Sequence, residues 1–120
     1  MKQRFRLTRS NDFKRVRNQG KSFAHPLLVL VRLKSDEDRV RIGISTSRAV
    51  GNAVKRNRAK RLIKESIRPF IPSIRKGYDL VLIARNRLLD SEFSEIQITI
   101  EGLLMRAELL AFEQNPTIAK

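Results

Sequence analysis

Cysteine is absent from the sequence. That excludes disulfides, thiolate metal sites and a cysteine nucleophile, and nothing here requires an oxidising compartment. Histidine occurs once, as His25. With no second imidazole or carboxylate group near it in the chain, it reads as a structural or surface residue rather than a ligand or general base. Acidic side chains are scarce, 12 against 26 Lys and Arg, for a formal charge of +14. A field of that sign calls for a polyanion, and nucleic acid is the leading class. No long apolar run exists. The longest, Leu27 to Val31, falls far short of the roughly 20 residues that span a bilayer. The start, MKQRFRLTRSNDF, carries charge with no apolar core behind it, so it does not read as a signal peptide. The expectation is a soluble, cytoplasmic protein without a membrane partner. No repeat and no Gly, Ser or Pro tract divides the chain, so residues 1–120 read as one domain. Residues 1–8 are expected to form a flexible basic arm and 115–120 a frayed tail.

What the chain does have is concentrated. Of the 26 basic side chains, 24 precede residue 88, whereas residues 88–120 are net acidic, so the binding surface should exclude most of the C-terminal segment. The densest stretch is GNAVKRNRAKRLIKESIR, Gly51 to Arg68. Gly51 and Asn52 supply a turn and an N-cap, and good helix formers continue until Pro69. At about 100° per residue, Ala59, Leu62, Ile63 and Ile67 share one sector, while Asn57, Arg61, Lys64 and Arg68 recur on the opposite side. Arg56, Arg58 and Lys60 flank that row, and only Glu65 offsets it. One face is expected to be core and the other a cationic rail.

Around this helix the pattern is mixed α and β. Ser10 or Asn11 is expected to cap a helix to about Asn18, stopped by Gly20. Phe13 on it reads either as a core anchor or as an aromatic able to stack on a base. FAHPLLVLVRL, 23–33, reads as a strand whose pairing starts after Pro26 or as an edge strand, and RVRIGIS, 39–45, as a half-buried strand with Val40, Ile42 and Ile44 on one face. The SDED turn between them, 35–38, predicts an antiparallel hairpin. Arg39, Arg41 and Ser45 on the other face border an RNA surface or face water. STSRAVGN reads as a turn, since its spacing is not that of a phosphate-binding loop. YDLVLIA, 78–84, is nearly continuous and apolar, as expected of a central strand. A last helix is expected from Asp90 or Ser91, or from about 95, to about Phe112, with Phe93, Ile96, Ile100, Leu103, Leu104 and Leu110 on its apolar stripe.

The order helix, two strands, basic helix, strand, helix, with VGNAVKRNRAKRLIKESIR following an IGISTSR strand, resembles the protein subunit of bacterial ribonuclease P. The resemblance covers RLTRSNDFKRVRNQG, the two strands, the RNR signature at Arg56, Asn57 and Arg58, YDLVLIAR and the last helix. It implies an α/β (α+β) two-layer sandwich like the second domain of ribosomal protein S5, with a left-handed βαβ crossover where elementary sterics would give a right-handed one. It also implies a subunit that joins a catalytic RNA and assists removal of the 5′ leader from precursor tRNA. In that family the RNA carries the active site and the magnesium, and the protein has no active site of its own. Carried over by position, the residues expected to face ribonuclease P RNA are Arg48, Asn52, Lys55, Arg56, Asn57, Arg58, Lys60, Arg61, Lys64 and Arg68. Phe13, Arg17 and Val31 are expected at a cleft for the precursor tRNA leader. Arg17 and Val31 stand where relatives often carry aromatics, which predicts weaker stacking and a larger electrostatic share.

Three rival readings differ in class. A protein-only nuclease would need carboxylates for metals or paired histidines, and the six acids before residue 88 are scattered or sit in the SDED turn. A small ribosomal protein shares the composition and is separated only by the RNR-centred resemblance. A basic DNA regulator ranks third, and no DNA partner is expected.

Overall fold

The computed structural model describes residues 5–7 and 9–110. Strands β1 (Lys21–Ala24), β2 (Leu28–Lys34), β3 (Val40–Thr46) and β4 (Tyr78–Ala84) form one sheet in the order β1-β2-β4-β3. Helices α1 (Ser10–Gln19), α2 (Ala53–Ile67) and α3 (Phe93–Arg106) pack on it. The protein is thus a mixed α/β fold, with α2 and α3 on one face of the sheet and α1 lying across the other.

YDLVLIA takes the centre because its residues are apolar on both faces: Leu80 and Leu82 point to the large core while Val81 joins a smaller one under α1. β4 pairs antiparallel with β2 and parallel with β3. The expected hairpin between 23–33 and 39–45 therefore does not form. The SDED turn spans a gap that Gly77 fills, its carbonyl accepting from Ser35 N–H at 2.8 Å and its N–H donating to Arg39 O at 3.0 Å. The hairpin that does exist lies within the first apolar segment. Pro26 breaks that segment, and β1 pairs antiparallel with β2. His25 stabilises this turn, its Nδ1 accepting from Leu27 N–H at 3.1 Å, a structural role.

The larger core is the one expected from the helix patterns. Ala59, Ile63 and Ile67 of α2 and Ile96, Ile100, Leu103 and Leu104 of α3 are buried against Leu28, Leu30, Ile42, Leu80 and Leu82. Each fully buried Leu or Ile removes enough apolar area to contribute about 1.5–3 kcal/mol. Phe93, by contrast, is 43% exposed, so the apolar stripe of α3 begins at Ile96. The helix ends at Arg106, short of the expected Phe112. Glu108 adopts a positive φ of 59°, and Leu109 N–H returns to Leu104 O at 2.9 Å, closing the helix end. Ile74 then bridges Leu110.

At the N-terminal end, α1 has Arg9 in the cap position with no side-chain cap, in place of the expected Ser10 or Asn11. The part of the arm within the described residues is tied down: Leu7 N–H donates to Ile42 O at 2.9 Å, Leu7 is buried, and Arg6 bridges Ile42 on the open edge of β3. The remainder of the arm and the expected frayed tail at 115–120 lie outside the described residues. Among the described residues no helix is long and apolar enough to cross a membrane.

Candidate nucleic-acid interface

β3 delivers the chain through a 3₁₀ turn, Arg48–Val50, to Gly51, whose φ of 134° and ψ of −150° suit only glycine. Asn52 caps α2: its Oδ1 accepts from Lys55 N–H at 3.0 Å. The buried side of α2 comprises Ala59, Ile63, Ser66 and Ile67, with Leu62 half-buried. Ser66 escapes the apolar pattern by donating its hydroxyl to Leu62 O at 2.7 Å, which satisfies it inside the core. The opposite side is solvent-facing. Arg48, Asn52, Lys55, Asn57, Arg58, Lys60, Arg61 and Arg68 are exposed, and Arg56 and Lys64 half-exposed. All ten residues expected at an RNA surface therefore lie on α2 or its two ends.

Most charges on this face are not neutralised by the described residues. Among the described residues, one of these cations has a carboxylate partner: Arg68 Nη2 donates to Glu65 Oε1 at 2.7 Å. The first turn of the helix works against its own cations, whereas Lys64 in the last turn follows the dipole. α1 and α3 follow the helix dipole, with Asp12 or Glu95 in the first turn and Arg17 or Arg106 in the last. α2 has no acid in its first turn and places Lys55 and Arg56 at its positive end. Each such charge is disfavoured by a few tenths of a kcal/mol in the free protein, and an anion docked there would reverse the sign.

On the other face of the sheet the cations are arranged differently. Asp79, the one acid inside the apolar run of β4, is fully buried and held by two arginines. Arg41 Nε and Nη2 donate to Oδ1 at 2.9 Å and Oδ2 at 2.8 Å, and Arg15 Nη2 of α1 donates to Oδ2 at 2.7 Å. Burial alone would raise the Asp79 pKa. The hydrogen bonds from Arg41 and then Arg15, with their charges, outweigh it and hold the carboxyl below its ordinary value. Arg41, only part-exposed, is thus committed to Asp79 and fastens β3 to β4, while Arg15 fastens α1 to both.

This clamp sets the position of Phe13 and the shape of the expected leader cleft. The Phe13 ring lies over Gly43, where an added Cβ would stand 2.5 Å from Cζ, so glycine is what lets α1 approach β3. Phe13 joins the smaller core of Leu7, Val16, Val31 and Val81 yet stays part-exposed. Arg17 is exposed on α1. Val31 is 2% exposed and cannot offer a surface to a ligand; α1 covers it. Its neighbours in the next cross-strand row, Val29 opposite Ile83 and Ser45 beside Ile83, are only half-buried and form the open part of that face. Sequence reading named Ser45 as bordering an RNA surface or facing water but missed Val29 and Ile83, although the alternation of β2 and β4 around Val31 and Val81 was the available signal.

Fold and surface together define a class: a small α/β protein built around a helix whose outer face presents unneutralised cations. The model of the ribonuclease P family matches residues 1–108. The chain is 44% identical over 111 residues to the ribonuclease P protein component of Clostridium novyi (strain NT), covering 91% of this chain and 98% of that one. Among solved structures, the Staphylococcus aureus RNase P protein superposes with a TM-score of 0.79 at 32% identity, over 89% of this chain and 98% of that one. The Thermotoga maritima RNase P protein gives 0.75 at 32% identity, over 84% and 96%. The chain belongs to the ribonuclease P protein family.

Proposed function

We propose that this subunit binds the RNA component of ribonuclease P through the outer face of α2 and engages the precursor tRNA leader on the face where α1 crosses the sheet. The observation that carries this reading is the cationic face of α2, which begins with Lys55 and Arg56 in the first turn and is balanced, among the described residues, by a single carboxylate. Arginine grips phosphate oxygens in a bidentate fork and lysine adds a mobile charge, so Arg48, Lys55, Arg56, Arg58, Lys60, Arg61, Lys64 and Arg68 supply the backbone contacts. Asn57 adds a donor and an acceptor beside them. Asn52 is engaged in capping, and its part is to fix the direction in which the rail starts.

The leader would lie along Phe13, Val29, Ile83 and Ser45, with Arg17 at the rim. One half-exposed aromatic gives limited stacking, so phosphate electrostatics carry more of the affinity.

Chemistry is assigned to the RNA, acting with magnesium in the cytoplasm. Magnesium takes carboxylates and water in an octahedral shell. Among the described residues no group of three or more acidic or imidazole side chains is placed to hold a metal, and Asp79 is committed to its arginines. The described side chains thus offer no magnesium site.

Reconstitution with a transcribed bacterial ribonuclease P RNA at low magnesium tests the reading. The mixture is expected to cleave precursor tRNA at the mature 5′ end, and the protein alone to leave it intact. Cleavage by the RNA-free protein would overturn the mechanism. Failure to bind or activate the RNA would favour a structural role on some other RNA.

A further inference from the structure

A second group of cations converges at the opposite edge of the sheet. Lys21 Nζ lies 5.5 Å, Arg32 Cζ 5.7 Å and Arg106 Cζ 6.0 Å from the centroid of the Phe23 ring. Arg32 also stands 5.5 Å from the Tyr78 ring, which places it between two aromatics. The register produces this cluster. Lys21 and Arg32 are direct cross-strand partners on β1 and β2, Phe23 follows Lys21 on the same face, and Lys34 faces Tyr78. Arg106 arrives from the last turn of α3 and donates Nη1 to Ala24 O at 3.1 Å.

Sheet stability alone does not account for the arrangement. Like charges directly opposite on neighbouring strands are unfavourable, and here a third cation joins them. None of Lys21, Arg32 and Arg106 has a carboxylate partner among the described residues. The aromatic faces attract cations weakly at exposed sites and leave the charge in place. Three positive charges are thus gathered within 6.0 Å of one ring centroid and held in place by the rings and a backbone carbonyl. Pre-ordered cations of this kind lose less conformational freedom when they grip a phosphate.

We propose that Lys21, Arg32 and Arg106, carried on Phe23 and Tyr78, form a second site for an RNA phosphodiester backbone. The inference rests on the RNA-binding reading above and adds a surface to it. β1 is the edge strand farthest from β3, whereas α2 packs over β3 and β4. Lys21, Phe23 and Arg32 also lie on the face of the sheet opposite Phe13 and Val31. An RNA segment on this site is therefore separate from one lying along α2 or in the leader cleft, and the protein grips RNA from two sides.

The test is salt titration of binding, with wild type and a Lys21→Gln/Arg106→Gln variant that leaves the more deeply packed Arg32 in place. One arm measures the protein against transcribed ribonuclease P RNA, and the other measures precursor tRNA against the assembled complex. Each backbone contact contributes a slope of roughly 0.7 in log affinity against log salt for single strands. The variant, which removes two contacts, is expected to flatten the slope by about 1.4 and weaken binding roughly tenfold at physiological salt in one of the two arms, which identifies the RNA on the site. Its unfolding midpoint should stay at the wild-type value, and Arg106→Lys alone, which keeps the charge, should retain most of the affinity. Unchanged slope and affinity in both arms would overturn the inference while leaving the α2 reading intact. Absence of binding by the wild type would overturn both.

Discussion

Arg15 and Arg41 on one face of the sheet, and Arg56, Arg58 and Arg61 on the helix covering the other, are the same side chain put to opposite uses. The first pair converges on a buried carboxylate at 2.7–2.9 Å and is part of the fold. The second group has no carboxylate partner among the described residues and carries its charge into solvent, Arg56 in the first turn, where the helix dipole disfavours it. Paired cations hold this protein together, and unpaired ones are available to a partner. A net charge of +14 does not distinguish these roles; the position of the few acids does.

The sharpest way to break the paired side is Asp79→Ala, which leaves two arginines facing a carboxylate-sized gap. Removing one partner of a buried ion pair costs about 3–5 kcal/mol, and because Arg15 and Arg41 keep some contact with water we expect about 3 kcal/mol by urea unfolding. The pH dependence follows from the same group. Its folded pKa lies below the ordinary value of 3.8, so its stabilisation is complete above that value and is lost as pH falls through the folded one. Asp79→Asn should flatten this acid limb of the stability curve. An unchanged limb would mean the clamp does not stabilise the fold.

Asp79 also marks the limit of what the sequence discloses. The cap at Asn52, the apolar back of α2, the alternation of β3 and the central place of β4 are local patterns, and each is legible from a few neighbouring residues. The order of strands is not local. β2 and β3 look like a hairpin because a short acidic turn joins them, and only the two-faced apolar character of β4 hints that it inserts between them. Val31 reads as a cleft residue until α1 is seen to cover it. The lone acid in YDLVLIA was the visible flag for the clamp, since a charge inside a central strand must find partners.

Smaller effects sharpen the unpaired side. Asn52→Ala removes the cap that starts α2 and should cost about 1 kcal/mol, measured by thermal unfolding. Its effect on RNA affinity should exceed that of a core variant of equal stability, because the cap orients the rail. Glu65→Gln breaks an exposed pair with Arg68 and should change stability by less than about 1 kcal/mol. It also removes a carboxylate opposing the rail, so affinity for ribonuclease P RNA should rise a few-fold at low salt; a fall would contradict the charge argument.

The division between paired and unpaired cations is tested most directly by replacing Arg56, Arg58 and Arg61 together with Gln and titrating ribonuclease P RNA binding across salt. The account predicts an unfolding midpoint within about 0.5 kcal/mol of wild type, an affinity lower by roughly a hundredfold, and a log–log salt slope flatter by about 2. A variant that binds with the wild-type affinity and slope would show that the outer face of α2 is a solvated surface and that the RNA docks elsewhere.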